Sequence, residues 1–293
     1  MIEVAFREAL QAAWGQIDCL PAADGKIHRL HVPGDRPGTQ NGWYVLHLDG
    51  IPSGAFGSWK AGDYHTWNSR KPTDLAEAEL IRKRVEQARH QREAKQHQRQ
   101  QAVALEAQRC WRTAAPAGND HPYLRRKGCQ VHGLRQQGDV LLVPLYLDRV
   151  LANLQRIHPD GSKRFLAGGR IKNAHSPIGT LKPGRPLYLC EGWATGATIH
   201  EHNGAAVACA MNAGNLLAVG QQLRRTYPDS PLVVAGDDDR LTKGNPGRTS
   251  ANHAAALLGC GVVMPPWSGT EPLNLSDFND LRQWQRQTNE SDA

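Results

Sequence analysis

Long apolar runs are missing from this sequence of 293 residues. The longest, residues 141–147, is interrupted by Pro144 and falls far short of the ~20 residues of a membrane span. The opening residues mix Glu3 and Glu8 into a helical pattern, with no charged leader, apolar core or cleavage site. They predict a helix and not a secretion signal. Cysteine is sparse and scattered, at positions 19, 110, 129, 190, 209 and 260, with no CxxC and no Cys/His pair at zinc-finger spacing. This pattern predicts reduced, mostly buried thiols in a cytoplasmic protein, and no zinc is expected. No G-x-x-x-x-G-K-[ST] segment occurs, which excludes a helicase motor of the P-loop kind. What remains is a chain with 40% hydrophobic and 22% charged residues, enough for a buried core in two modest domains or one large one. Lys and Arg number 35 against 28 Asp and Glu, a net charge of +7 that favours a polyanionic partner.

Four regions differ in rhythm. Residues 1–72 are dense in Gly, Trp and Asp; a helix is predicted over 4–14, and the alternation of 43–48 followed by Asp49-Gly50 predicts a hairpin with 54–59. This is a small α+β module. Residues 73–115 contain no Gly or Pro, with Thr73 and Asp74 as N-cap candidates, and predict a helix of about forty residues. Its basic residues Arg82, Lys83, Arg84, Arg89, Arg92, Lys95 and Arg99 face only Glu86 and Glu93, so it is expected to be a largely solvated connector or arm. Residues 116–183 predict a basic α+β subdomain with strands at 140–147 and 152–157 and a turn at His158-Pro159-Asp160-Gly161. Residues 184–293 alternate strands (187–190, 205–210, 232–235, 262–264) with helices (195–202, 216–227, 249–258). That alternation implies a parallel α/β sheet. Ligands in such sheets gather beyond the carboxyl ends of the strands.

Glu191 and the run Asp237-Asp238-Asp239 both fall at predicted strand ends. Three carboxylates, Glu191, Asp237 and Asp239, would then share one crevice, and a divalent cation would remove their mutual repulsion. Mg2+ suits oxygen ligands and phosphate-bearing substrates, with Mn2+ as a substitute. The bland alternative is an acidic turn and a helix-terminal Glu. Lys163, Arg164 and Arg170 sit after a turn, among glycines, where a phosphate can approach closely. Arg240, Lys243 and Arg248, around Gly244 and Gly247, are placed to meet a triphosphate. Trp43, Tyr44, Trp59 and Trp67 lie among Lys60, Arg70 and Lys71 and suit base stacking. Core formation is the stronger expectation for tryptophans in a small domain. His31, His47 and His121 are ligand candidates, with structural roles the commoner outcome.

The order LYLCEG, LVVAGDDD, LSDFNDL resembles the Toprim domain shared by bacterial-type primases, topoisomerases and some nucleases. Upstream, VLLVPLYLDRVLANLQRI with KRFLAGGR resembles the basic subdomain preceding Toprim in bacterial and phage primases, and HPYLRRKG resembles a segment of phage and plasmid primases. The resemblance covers roughly residues 120–285. It implies that Asp237 and Asp239, with Asp238 contributing, hold Mg2+, and that Glu191 binds metal or takes the proton of an attacking 3′-hydroxyl. Asp277 or Asp280 would be an outer ligand, although DFND also suits an N-cap. Lys163, Arg164 and Arg170 would contact template or incoming nucleotide. The implied protein is a mobile-element primase using single-stranded DNA and nucleoside triphosphates, with a separate helicase or replication protein as partner and no membrane. A Toprim nuclease and a non-catalytic single-strand-binding protein are the alternatives. Two departures stand out: no cysteines for a template-reading zinc module, and Trp193-Ala194-Thr195 where replicative primases often carry an acidic residue.

Overall fold

The alternating segment of the first module forms a strand whose apolar side chains turn toward one amphipathic helix. In the computed structural model, which describes residues 1–71 and 75–291, α1 (Ile2–Trp14) packs on a four-stranded antiparallel sheet. The sheet comprises β1 (His28–Leu30), β2 (Gly42–His47), β3 (Ser53–Ser58) and β4 (His65–Asn68), in that order. Phe6 and Leu10 of α1 close on Leu30, Tyr44, Leu46 and Phe56, with edge-on contacts between Phe6 and the rings of Tyr44 and Phe56. The predicted hairpin is the β2–β3 pair, His47 opposite Ser53.

The long helix α2 runs from Leu75 to Thr113. Its N-cap candidates Thr73 and Asp74, and the side chains of Arg84 and Arg92, lie outside the described residues. The chain divides into two compact units, Met1–Glu93 and Ala94–Ala293, so the boundary falls inside α2. Solvation holds for Arg82, Lys83, Arg89, Lys95 and Arg99, all exposed. It fails beyond position 100. Val103, Ala107, Cys110 and Ala114 recur at spacings of four, three and four, one face of a helix, and dock on Leu142, Leu151, Leu154 and Leu166.

That docking surface belongs to a five-stranded antiparallel sheet, β5 (Ala115–Pro116), β6 (Arg135–Gln137), β7 (Val140–Leu147), β8 (Val150–Ile157) and β9 (Lys163–Phe165). A short helix, α3 (Pro122–Lys127), precedes β6; its cap is His121, whose Nδ1 accepts the Tyr123 N–H at 3.2 Å. His121 is thus structural, as is His31, whose Nδ1 lies 3.0 Å from the Thr39 carbonyl oxygen.

The C-terminal sheet contains β10 (Ser176–Ile178), β11 (Leu187–Cys190), β12 (Ala206–Cys209), β13 (Leu232–Ala235) and β14 (Gly261–Val263), in the order β10-β12-β11-β13-β14. Helices α4 (Trp193–Asn203), α5 (Leu216–Thr226), α6 (Pro246–Leu258) and α7 (Phe278–Ser291) flank it. The four strands expected from the alternation, β11 to β14, are mutually parallel, and β10, from the preceding region, joins their edge antiparallel to β12. This edge strand carries Pro177 and is only three residues long, too little for a period-two signal. The two sheets share one core, in which Leu141, Val143, Leu145 and Ile157 meet Ile178, Trp193, Ala197 and Val207. No described helix is long and apolar enough to cross a membrane.

Leu154 is fully buried between β8 and α2. Leu154→Ala is expected to lower the unfolding free energy by about 3 kcal/mol in a denaturant titration. Leu105→Ala, on the same helix at 61% exposure, should change it by less than about 0.5 kcal/mol. Equal effects would contradict this account of how the helix docks.

Candidate active site

Strand β11 is the switch point of the C-terminal sheet. The chain leaves it through α4 to β12 on one side, then returns through α5 to β13 on the other. Because β11 and β13 are parallel and Cys190 is level with Ala235, the residues that follow, Glu191 and Gly236-Asp237, emerge side by side. The backbone at this edge is pinned, with Met211 N–H donating to the Glu191 carbonyl at 2.7 Å and Gly236 N–H to the Val263 carbonyl at 2.9 Å.

A cavity of about 230 Å3 opens there, lined by Glu191, Asp237 and Asp277 with Lys127, Lys163, Gln155, Trp193 and Thr195 among others. Burial raises the Asp237 carboxyl to about 8, and the negative charges of Asp277, Glu191, Asp239 and Asp280 push in the same direction. Burial also raises Glu191, with Asp239 adding to the shift and the Ala213 N–H opposing it. Asp277 is raised by burial and then by Asp280. One oxygen of Asp237, Oδ1, is buried without a hydrogen-bond partner. An orphaned carboxylate oxygen beside further carboxylates fits a hard cation. The carboxylates border the cavity without converging on one point: among the described residues no group of three or more His, Cys, Asp or Glu is arranged to hold a metal ion.

The three consecutive aspartates separate by partner. Asp238, proposed from sequence as a contributing metal ligand, has a side chain only 2% exposed and both oxygens engaged. Arg248 grips it through Nε at 2.8 Å and Nη2 at 2.7 Å, Asn245 Nδ2 donates at 2.6 Å, and Trp267 Nε1 donates at 3.0 Å. These donors, Arg248 first, hold its carboxyl well below the usual range. Asp239 accepts the Gly247 N–H at 2.9 Å, at the amino end of α6. Gly247 is needed there, because a Cβ would stand 2.8 Å from the Asp237 carbonyl oxygen and 2.9 Å from Asp239 Oδ2. Asp277 has two roles, capping α7 by accepting the Asp280 N–H at 2.7 Å while lining the cavity.

Of the basic candidates, Lys163 reaches the site. Its ammonium lies 5.4 Å from the Tyr123 ring centroid. Although the residue as a whole is exposed, desolvation and then Lys127 lower its pKa, against the attraction of Asp277, Asp237 and Glu191. Arg164 projects to the opposite face of β9 by strand alternation. Arg170 is half-buried, its Nε 3.3 Å from the Lys172 carbonyl oxygen. Arg240 and Arg248, expected at a triphosphate, are used internally: Arg240 lies 4.0 Å over Trp267 and donates to the Pro272 carbonyl at 2.7 Å, and Arg248 holds Asp238. Lys243 is exposed on its loop. Lys127 was not singled out from sequence, yet it lines the cavity and pairs with Asp280 at 3.2 Å. The only hint was its place at the end of a capped turn, between His121-Pro122 and Gly128.

The raised Asp237 carboxyl sets a pH dependence. An unfolded Asp titrates near 3.9, so between about pH 4 and 8 the folded chain binds more protons than the unfolded one. Stability of the metal-free protein is therefore expected to fall as pH rises through that window, with Glu191 and Asp277 acting in the same sense. Thermal melts in metal-free buffers should show the decline, and Asp237→Asn should flatten it. A decline of unchanged size in Asp237→Asn would exclude Asp237 as its source.

Residues 186–287 match the family model described as the Toprim domain. The chain is 37% identical over 260 residues to a protein named DNA primase TraC of Escherichia coli, covering 84% of this chain and 24% of that protein. A second protein of that name and organism is 35% identical over 271 residues, 87% of this chain and 19% of the relative. The chain thus spans about a quarter or less of the length of these relatives. Among solved structures, that of the DnaG catalytic core aligns at a TM-score of 0.38 and 11% identity, covering 65% of this chain and 79% of that one. The acidic switch point at Glu191 and Asp237 therefore lies within the segment that matches the Toprim domain, in a chain similar over most of its length to DNA primase TraC.

Proposed function

We propose that this chain is a DNA primase, joining nucleotides into short primers on single-stranded DNA by Mg2+-dependent nucleotidyl transfer. The observation that carries the reading is the set of carboxylates at the switch point, Glu191 and Asp237 at two strand ends with Asp239 next to them and Asp277 at the start of α7, inside the segment that matches the Toprim domain. The likeness to DNA primase TraC over most of the chain supports it. Mobile-element origin and a cytoplasmic setting accompany the reading, as does a separate helicase or replication partner.

In this scheme Asp237 and Asp277, the two aspartates that line the cavity, would hold a largely hydrated Mg2+, which would neutralise phosphate charge and orient the displacement, with Asp239 adding negative charge from its place beside the Gly247 N–H. Asp238 serves the site indirectly, anchoring the loop that carries its two neighbours. Glu191 is a half-buried carboxyl whose proton affinity is raised by burial, suited to exchange a proton with the primer 3′-hydroxyl. Lys163 supplies positive charge to the phosphates, its ammonium standing beside the Tyr123 ring. Trp193, 1% exposed, gives the cavity a dry floor where an acidic ligand would otherwise add a further charge. The basic sheet of residues 116–183 presents the template, and residues 184–293 carry the chemistry.

Incubation with single-stranded DNA, labelled nucleoside triphosphates and Mg2+ tests the proposal. Short labelled products are expected from the wild type, reduced at least ~100-fold in Asp237→Asn and Glu191→Gln. Undiminished product from Asp237→Asn, or no product across many templates, would contradict it. Nicking without incorporation would assign the same carboxylates to a nuclease.

A further inference from the structure

The α+β module of the first unit carries an aromatic surface that the nucleotidyl-transfer site does not use. On the face of its sheet away from α1, Arg29, Trp43 and Gly57 stand in one row across β1, β2 and β3. Trp43 is 8% exposed because other rings crowd it: Trp59 and Tyr64 each have centroids 5.9 Å from Trp43, inclined at 42° and 36°. Gly57 admits the Asp63 carbonyl and the Trp43 indole, since a Cβ there would run into the Asp63 oxygen and stand 3.1 Å from the indole Cζ2 and Nε1. Trp59 and Tyr64 are themselves 60% and 57% exposed. The guanidinium of Arg29 lies 5.4 Å from the Trp59 ring centroid.

The turn that presents these rings is internally bonded. Gly62 N–H donates to the Ser58 carbonyl at 2.8 Å, and Lys60 and Ala61 N–H donate to Ser58 Oγ at 3.3 and 3.2 Å. Trp59 N–H is held by the Asn41 carbonyl at 2.9 Å, and Asp63 accepts the Ser58 N–H. The two carboxylates of the flanking turns are occupied. Lys60 Nζ, at 2.6 Å, and Asn41 Nδ2, at 2.9 Å, hold Asp35, while Trp14 Nε1, at 3.1 Å, and His65 engage Asp63. The platform thus offers open ring faces and a guanidinium, with Asp35 paired to Lys60 and Asp63 hydrogen-bonded to Trp14 and His65.

We propose that Trp59 and Tyr64, backed by Trp43 and Arg29, form a stacking platform for the unpaired bases of single-stranded DNA, outside the acidic cavity. Flat rings beside a cation suit a strand whose bases are free to stack and whose phosphates are negative; a duplex exposes no base faces. The proposal rests on the primase reading for the identity of the polyanion. Its test separates the two. Trp59→Ala and Tyr64→Ala change exposed side chains and leave Trp43 and the carboxylates in place. In fluorescence anisotropy with labelled oligo-dT and the full chain, each substitution should weaken binding about tenfold, and Trp59→Phe should restore most of it. Incorporation by these variants at saturating template should match wild type, while Asp237→Asn should bind oligo-dT normally. Binding unchanged in both alanine variants would overturn the platform even if primer synthesis is confirmed. An equal loss on duplex DNA would also overturn it, as would a self-association of wild type that Trp59→Ala abolishes, which would give the face to a second copy.

Discussion

Carboxylates forced together at the ends of two adjacent parallel strands are the constraint around which the C-terminal unit is built. Register alone brings Glu191 and Asp237 together, because β11 and β13 stop level at Cys190 and Ala235. Partial burial then makes their charge costly, and the chain answers by leaving Asp237 inclined to hold a proton. A site of this kind is unfavourable without a cation and receptive to one.

The surrounding structure keeps that arrangement from relaxing. Asp238, in the middle of the acidic run, faces away into Arg248, Asn245 and Trp267, so the loop cannot turn its outer aspartates toward solvent without stripping a buried carboxylate of its donors. Asn245 adopts a left-handed backbone (φ 41°) to place its amide between Asp238 and the Asp239 N–H, and it caps α6 with the same side chain. From the other direction, Asp238 N–H donates to the Ser276 carbonyl at 2.7 Å, tying the loop to the segment that starts α7. The helix α7 is fixed in turn by Arg282, which bonds Glu201 of α4 at 2.6 Å and the Gly128 carbonyl at 2.9 Å, joining both sheets' helices behind the cavity.

Much of this was legible in the sequence, for a physical reason. Strand–helix alternation with short turns has few solutions, and each places strand carboxyl ends on one rim, so residues 191 and 237–239 could be brought together without coordinates. Partners were less legible. Arg240 and Arg248 look like phosphate ligands in a basic, Gly-rich loop, but that loop contains its own anion in Asp238 and its own aromatic surface in Trp267. Period and spacing carry no information about which charge faces inward. Lys127 and Lys163, 36 positions apart in the sequence, line one cavity through the fold of their subdomain, which spacing alone does not show. The tryptophans of the first module divided for a similar reason: Trp43 falls on a strand row and is covered, whereas Trp59 begins a turn and is not. The docking half of α2 did carry a signal, the spacing of residues 103, 107, 110 and 114, masked by the charge of the residues before it.

The most direct test of the central claim is calorimetric. Mg2+ binding at pH 7 should be measured in buffers of differing ionisation enthalpy, so that protons released on binding are counted. With Asp237 raised to about 8, the account predicts release of about one proton per bound ion, and loss of both release and binding in Asp237→Asn. Binding with no proton release, and at the same affinity in Asp237→Asn, would show that the crowded strand-end carboxylates are not where the cation sits.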